Sequence, residues 1–272
     1  MRIALGIEYD GSEYYGWQWQ ENQPSIQQRL QEALTNIADQ PIEVICAGRT
    51  DRGVHATAQV VHFDCDNLRP MRAWVLGTNN QLPGDIRVMW ATQVDDTFHA
   101  RFSATRRRYC FLICDSSVRP AILRHGITWH CGQLNMAAMQ QAAQYLLGEH
   151  DFSSFRAAQC QSKTTKRTVY HLNISRIGRL MMIDIMANAF LHHMVRNIAG
   201  VLMMIGADKQ APEWAAEVLH AKDRRQAGIT APEHGLYLIH VAYPNYAHIP
   251  QDVIFPTFVV CIVFVWSQTQ VN

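Results

Sequence analysis

The chain contains no low-complexity segment, no Cys-x-x-Cys pair and no apolar run long enough to cross a bilayer. Its seven cysteines, Cys46, Cys65, Cys110, Cys114, Cys131, Cys160 and Cys261, are scattered and odd in number. That argues against a disulfide framework and against a zinc cluster, and leaves free buried or half-buried thiols as the expectation. Residues 253–266 are almost wholly apolar, but fourteen residues interrupted by Pro256 are too few for a membrane span. They are expected to pack on the body as a strand or extended segment, so no membrane association is expected. Residues 1–9 lack the continuous apolar stretch of a signal peptide, which points to a cytoplasmic protein. A hydrophobic content of 48% and a charged content of 17% fit an ordinary globular chain, and 272 residues allow one large domain or two fused smaller ones.

A net charge of +1 conceals a strong asymmetry. Residues 1–96 carry a net of −6, residues 97–183 a net of +9, and residues 184–272 a net of −2. A basic middle between acidic flanks suits a face that meets phosphates, although a merely solvated basic surface would look the same.

Residues 3–9 alternate as a strand. Ser25 and Gln28 form a capping-box pattern at the head of a helix whose stripe is Ile26, Leu30, Ala33, Leu34 and Ile37. Strands are expected at 42–47 and 57–64 around a polar loop, then a helix at 71–78 and a strand at 85–94. The second half gives a strand at 107–115, a helix at 135–147 stopped by Gly148, and a hairpin of 169–177 with 180–187. A long apolar helix at 189–205 and a closing strand at 236–243 follow. Helices and strands mix without regular βαβ alternation, which indicates an α+β fold with mainly antiparallel sheets. The expected division is two similar halves, 1–104 and 105–248, with an atypical apolar tail at 249–272.

The most informative stretch is Ala47-Gly48-Arg49-Thr50-Asp51-Arg52-Gly53-Val54-His55-Ala56, a loop between two strand candidates. Gly48 and Gly53 permit unusual backbone angles. A carboxylate between Arg49 and Arg52 stays charged at neutral pH and can serve as nucleophile or base. Spacing alone favours a plainer role, an Arg–Asp pair that fixes a turn.

This stretch, continued through Gln59-Val60 to Phe63, resembles the signature of the TruA family of tRNA pseudouridine synthases. Further segments match in order: Ile7-Glu8-Tyr9-Asp10-Gly11, Tyr15-Gly16-Trp17-Gln18, Leu82-Pro83-Gly84-Asp85-Ile86, and Phe98-His99-Ala100-Arg101-Phe102-Ser103-Ala104. Gly148-Glu149-His150-Asp151-Phe152, Phe190-Leu191-His192-His193-Met194-Val195-Arg196-Asn197 and Gly235-Leu236-Tyr237-Leu238 complete the series. The likeness covers about residues 1–248 and fails beyond them. It implies the pseudouridine synthase fold, two similar α+β subdomains forming a central cleft, in a homodimer. It also implies isomerisation of uridines 38, 39 and 40 in the tRNA anticodon stem-loop, without metal or organic cofactor. The family's catalytic aspartate falls on Asp51, its active-site tyrosine on Tyr109 and its arginine partner on Arg196. Arg49 is expected to help turn the target nucleotide out, and Leu236 to supply an apolar wall.

Arg106, Arg107 and Arg108 beside Tyr109, and Lys163, Lys166 and Arg167 in a Ser/Thr-rich stretch, are candidate contacts to tRNA phosphates, with a solvated surface as the plain alternative. Lys222, Arg224 and Arg225 read as residues answering a helix dipole. His192 and His193, if both helical, would point about 100° apart and could not readily share a metal ion. Trp17 and Trp19 read as core or interface. A glycosidase-like hydrolase would want a second acid near Asp51, and only arginines lie close in sequence. An RNA-binding protein without chemistry would use the same basic middle.

Overall fold

The computed structural model describes residues 1–259. The described residues divide into two compact units: residues 1–106 with 237–254, and residues 107–236 with 255–259.

In the first unit, β1 (Arg2–Tyr9) lies between β3 (His55–Asp64) and β4 (Ile86–Val94), antiparallel to both. The two-residue β2 (Ile45–Cys46) pairs with β3. The far edge of β3 takes β10 (Leu236–Ala242) in parallel, Tyr237 opposite His55. Helix α1 (Ile26–Ala38) starts where expected. Ser25 Oγ accepts the Gln28 amide at 3.3 Å, and Ile26, Leu30, Ala33, Leu34 and Ala38 are buried. The helix expected at 71–78 starts at Met71 and continues to Gln81. It contains a π-helical stretch, Ala73–Gly77, before α2 (Thr78–Gln81). Within that stretch Trp74 is fully buried edge-on to Phe63, so core packing of one large ring accompanies the widened turn.

In the second unit the strands run antiparallel in the order β5 (Arg106–Asp115), β9 (Leu180–Ala187), β8 (Lys166–Ile177), β7 (Gly148–Asp151), with β6 (Thr128–His130) parallel to β5. Helix α3 (Met136–Gln144) is capped by Asn135, whose side chain accepts the Ala138 amide at 3.1 Å. It packs on β8, on α4 (Met194–Gly206) and on α5 (Trp214–Ala221). Helix α4 begins five residues after the expected start at Ala189. His193 is left-handed at φ 62°, and Asn188 Oδ1 takes the amides of Thr168 and Ala189. Ala189, Phe190 and Leu191 continue the apolar pattern but belong to a loop.

Each unit is α+β with a mainly antiparallel sheet. The boundaries differ from a linear split because β10 returns to β3, carrying residues 237–254 into the first unit. At the head of the tail, the Ile254 amide donates to the Ile239 carbonyl at 3.0 Å and Thr57 Oγ1 donates to the Ile254 carbonyl. Residues 253–256 carry no strand, residues 257–259 are helical where an extended segment was expected, and the rest of that segment, from residue 260, lies outside the described residues. Among the described residues no helix is long and apolar enough to cross a membrane.

Candidate active site

Asp51 stands, half-buried, in the connection between β2 and β3. Backbone bonds shape this loop: the Ala47 amide reaches the Val60 carbonyl at 2.8 Å, and the Val54 amide reaches the Asp51 carbonyl at 3.2 Å. Gly53 takes φ 72°, a left-handed angle that lets the chain turn straight into β3. The segment from Tyr14 to Trp17 braces the loop. The Trp17 amide donates to the Thr50 carbonyl at 3.0 Å and the Gly53 amide to the Tyr14 carbonyl at 3.3 Å. This brace needs glycine at position 16. Its φ is 91°, and a Cβ there would stand 2.7 Å from the Thr50 carbonyl oxygen. Arg49 and Arg52 are exposed, and the Arg52 guanidinium lies 4.3 Å from the centre of the Tyr15 ring.

Beneath the loop lies a buried polar group. Tyr9 Oη and Thr50 Oγ1 are 2.8 Å apart, and Gln59 Nε2 donates to the Gly48 carbonyl at 2.7 Å and to Tyr9 Oη at 3.4 Å. Gln59 Oε1 in turn accepts the Gly48 amide at 3.4 Å. At the downstream end, the buried His55 stacks on Tyr237 with ring centres 4.6 Å apart. Its Nδ1 lies 3.1 Å from Asp10 Oδ1 and 3.2 Å from the Gly11 nitrogen. Beside that imidazole and the Ser12 hydroxyl, Asp10 is held well below the usual carboxylate range. His55 thus packs and bonds at the end of the loop. Trp17 is fully buried core, while Trp19 is exposed.

In the second unit, Tyr109 lies on β5, only 8% exposed, with its ring edge-on to Phe190 at 5.0 Å. Arg196 occupies the first turn of α4, where its Nη2 donates to Glu233 and its Nε to the Ala231 carbonyl, each at 2.8 Å. Glu233 therefore answers part of its charge, a partner that sequence spacing did not reveal. Leu236 is buried at the start of β10.

The candidate phosphate contacts fall into two groups. Arg106, Lys163 and Lys166 are exposed. Arg108 instead forks onto the buried Asp184 through Nε at 2.7 Å and through Nη2, and Arg107 Nη1 donates to the Asn188 carbonyl at 3.3 Å. Arg167 is 8% exposed, with its guanidinium donating to Ser162, Thr164 and the Lys166 carbonyl. Burial lowers its pKa from the ordinary arginine value. Arg224 likewise joins the buried Asn197 and Thr230, and Arg225 pairs with Asp223. The imidazoles of His192 and His193 lie 4.0 Å apart, centre to centre, because His193 precedes the helix. The divergence expected of adjacent helical residues therefore does not describe them.

A family model for tRNA pseudouridine synthase matches residues 6–103 and 142–244, most of the chain, including the candidate loop and the strands on either side of it. This chain belongs to the tRNA pseudouridine synthase family. Membership makes it an isomerase. The tRNA pseudouridine synthase A of Photobacterium profundum is 57% identical over 258 residues, covering 95% of this chain and 99% of that one. Its counterpart in Shewanella denitrificans is 55% identical over the same coverage. These 258 residues exceed the stretch of about 248 that carries the motifs. Among solved structures, the archaeal box H/ACA sRNP Nop10–Cbf5 complex is similar at 12% identity and a TM-score of 0.35, over 74% of this chain and 43% of that one, a likeness too slight to compare sites. The pseudouridine synthase motifs quoted from the sequence include Tyr9, Gly16 and Gln59, yet their part in bracing the Asp51 loop emerges only in three dimensions.

Proposed function

We propose that the protein isomerises uridine to pseudouridine at positions 38, 39 and 40 of the tRNA anticodon stem-loop, with Asp51 as the catalytic carboxylate. The observation that carries this reading is identity of 54–57% along 95% of the chain with enzymes named tRNA pseudouridine synthase A. In this reaction the N-glycosidic bond breaks, the uracil turns while held, and its C5 bonds to C1′ of the ribose. An ionised carboxylate can begin that sequence by adding to the base or to the ribose, or by removing a proton. The target nucleotide must first leave its stack, since no side chain reaches C5 and C1′ inside a helix. Arg49 is assigned to the extruded nucleotide's phosphate, Tyr109 to stacking on the uracil, Arg196 to balancing charge and Leu236 to an apolar contact.

The exposed Arg106, Lys163 and Lys166 are the better-supported contacts to the tRNA backbone, because Arg108 and Arg167 already bond within the protein. The reading also includes a homodimer working in the cytoplasm without metal or organic cofactor. Incubating the purified protein with unmodified tRNA transcripts and mapping pseudouridine by position tests the proposal. Product at 38, 39 and 40 supports it. Product elsewhere overturns the site, and no product from any transcript overturns the function.

A further inference from the structure

A carboxylate that must meet one atom of a turned-out nucleotide depends on the placement of its backbone, and the bonds around Asp51 address that need. On the upstream side, both polar atoms of the Gln59 side chain engage Gly48, at 3.4 Å from its amide and 2.7 Å from its carbonyl. Gln59 is completely buried, so this pair of bonds is not exchanged with water. The residue immediately before Asp51 is pinned twice: its carbonyl by the Trp17 amide, and its hydroxyl by Tyr9 Oη at 2.8 Å. Tyr9, 2% exposed, also takes the second hydrogen of the Gln59 amide at 3.4 Å. Tyr9 and Gln59 sit on paired strands, β1 and β3, with Gln59 opposite Ile7. The two side chains tie the loop to a paired antiparallel ladder rather than to another loop.

The Tyr9–Thr50 bond is not required to fill the fold. A Phe at 9 and a Val at 50 would fill the space with no side-chain polar atom to match, whereas a Leu at 59 would strip the Gly48 amide and carbonyl of their partner. Burying a hydroxyl and an amide costs free energy unless each is bonded, and a partly bonded group is worse than an apolar one. Such a network is expected where placement matters.

We infer that Tyr9, Thr50 and Gln59 act as positioning residues for the reaction: they set the backbone that carries Asp51 without touching substrate. The inference rests on the reading of Asp51 as the catalytic carboxylate. Thr50→Val removes the hydroxyl while keeping shape, and Tyr9→Phe removes its partner. Each is expected to lower kcat on a tRNA transcript by about 10–100-fold, the scale of a small misplacement of a reacting group, with KM nearly unchanged and a lower melting temperature, because each leaves its partner buried without that bond. Thr50→Ser, which retains the hydroxyl, is expected to restore most of kcat. The double variant Tyr9→Phe/Thr50→Val leaves neither hydroxyl orphaned and is expected to regain part of the lost melting temperature, with kcat little worse than in Tyr9→Phe, which already breaks both the Thr50 and the Gln59 bonds.

Unchanged kcat in both single variants overturns the inference. So does a kcat that recovers with the melting temperature in the double variant, which would mark the network as merely structural. Should Thr50→Val fail to fold, Tyr9→Phe and the double variant decide by the same criteria. Wild-type protein and Asp51→Asn run alongside: absence of product from wild type refutes the proposed reaction. In that event, faster hydrogen exchange at the Gly53 and Val54 amides of Tyr9→Phe still supports loop positioning, and unaltered exchange refutes it.

Discussion

At the scale of single residues, charge and hydrogen bonding make the sharpest predictions. Asp51→Asn keeps size and much of the bonding capacity but cannot carry the negative charge that a nucleophile or base needs. It is expected to abolish pseudouridine formation while tRNA binding persists, measured by product mapping beside a filter-binding titration. A normal rate in this variant would remove Asp51 from the chemistry. His62 gives a prediction about pH. Burial, with the nearby Arg2 adding to it, pushes its imidazole down to about 4, and its Nδ1 accepts the Ala100 amide at 3.1 Å. In the unfolded chain a histidine titrates near 6.5. Between those values the unfolded state takes up a proton that the folded state refuses, so stability must fall as pH drops from about 6.5 to about 4 and change no further on this account below it. His62→Gln offers an acceptor without a titration and is expected to flatten that part of the melting-temperature profile. An unaltered slope would assign it to other groups.

At the scale of elements, two glycines hold close approaches that no other residue fits. In α4 a Cβ at Gly200 would lie 2.0 Å from the Ile229 carbonyl oxygen, so the helix and the loop at 229–231 touch backbone to backbone. Gly200→Ala is expected to destabilise the protein by about 1–3 kcal/mol through overpacking, read as a lower denaturation midpoint. Gly16→Ala meets both a left-handed φ and the Thr50 carbonyl, and should cost roughly 1–3 kcal/mol together with activity. Most elements were legible from periodicity and caps: Ser25 opens α1 and Asn135 opens α3 as their side-chain chemistry dictates. The start of α4 was not, because apolar residues 189–191 are packed as a loop while the left-handed His193 stops the helix behind them. The short β7 also escaped notice, since its ladder with β8 depends on a distant partner.

At the scale of the whole molecule, the basic middle of the sequence predicts tRNA binding that weakens as salt rises, because each neutralised phosphate releases counterions. Lys163→Glu with Lys166→Glu is expected to lower affinity and reduce the salt slope by about 2, roughly one for each lysine that no longer meets a phosphate, with kcat at saturation retained. Unchanged affinity would take this segment out of the RNA path. Arg167 is left out of that pair, since its reversal would break the bonds to Ser162 and Thr164 and disturb the loop itself. The charge asymmetry was visible without coordinates. Which basic groups can turn toward a polyanion was not, because Arg108 forks onto the distant Asp184 and Arg167 is buried with its guanidinium bonded back to Ser162 and Thr164.

The order of residues alone determined the α+β character, the glycine-bounded loop around Asp51 and the family, since all three reside in local pattern: alternation, helical period and contiguous motif. Tertiary structure decided the return of residues 237–254 to the first unit, the Glu233 partner of Arg196 and the Tyr9–Thr50–Gln59 brace. Those depend on pairs separated by tens to hundreds of positions, such as Tyr237 beside His55. Burial and hydrogen bonding select such partners only once the whole chain has closed around them, and no local period records the choice.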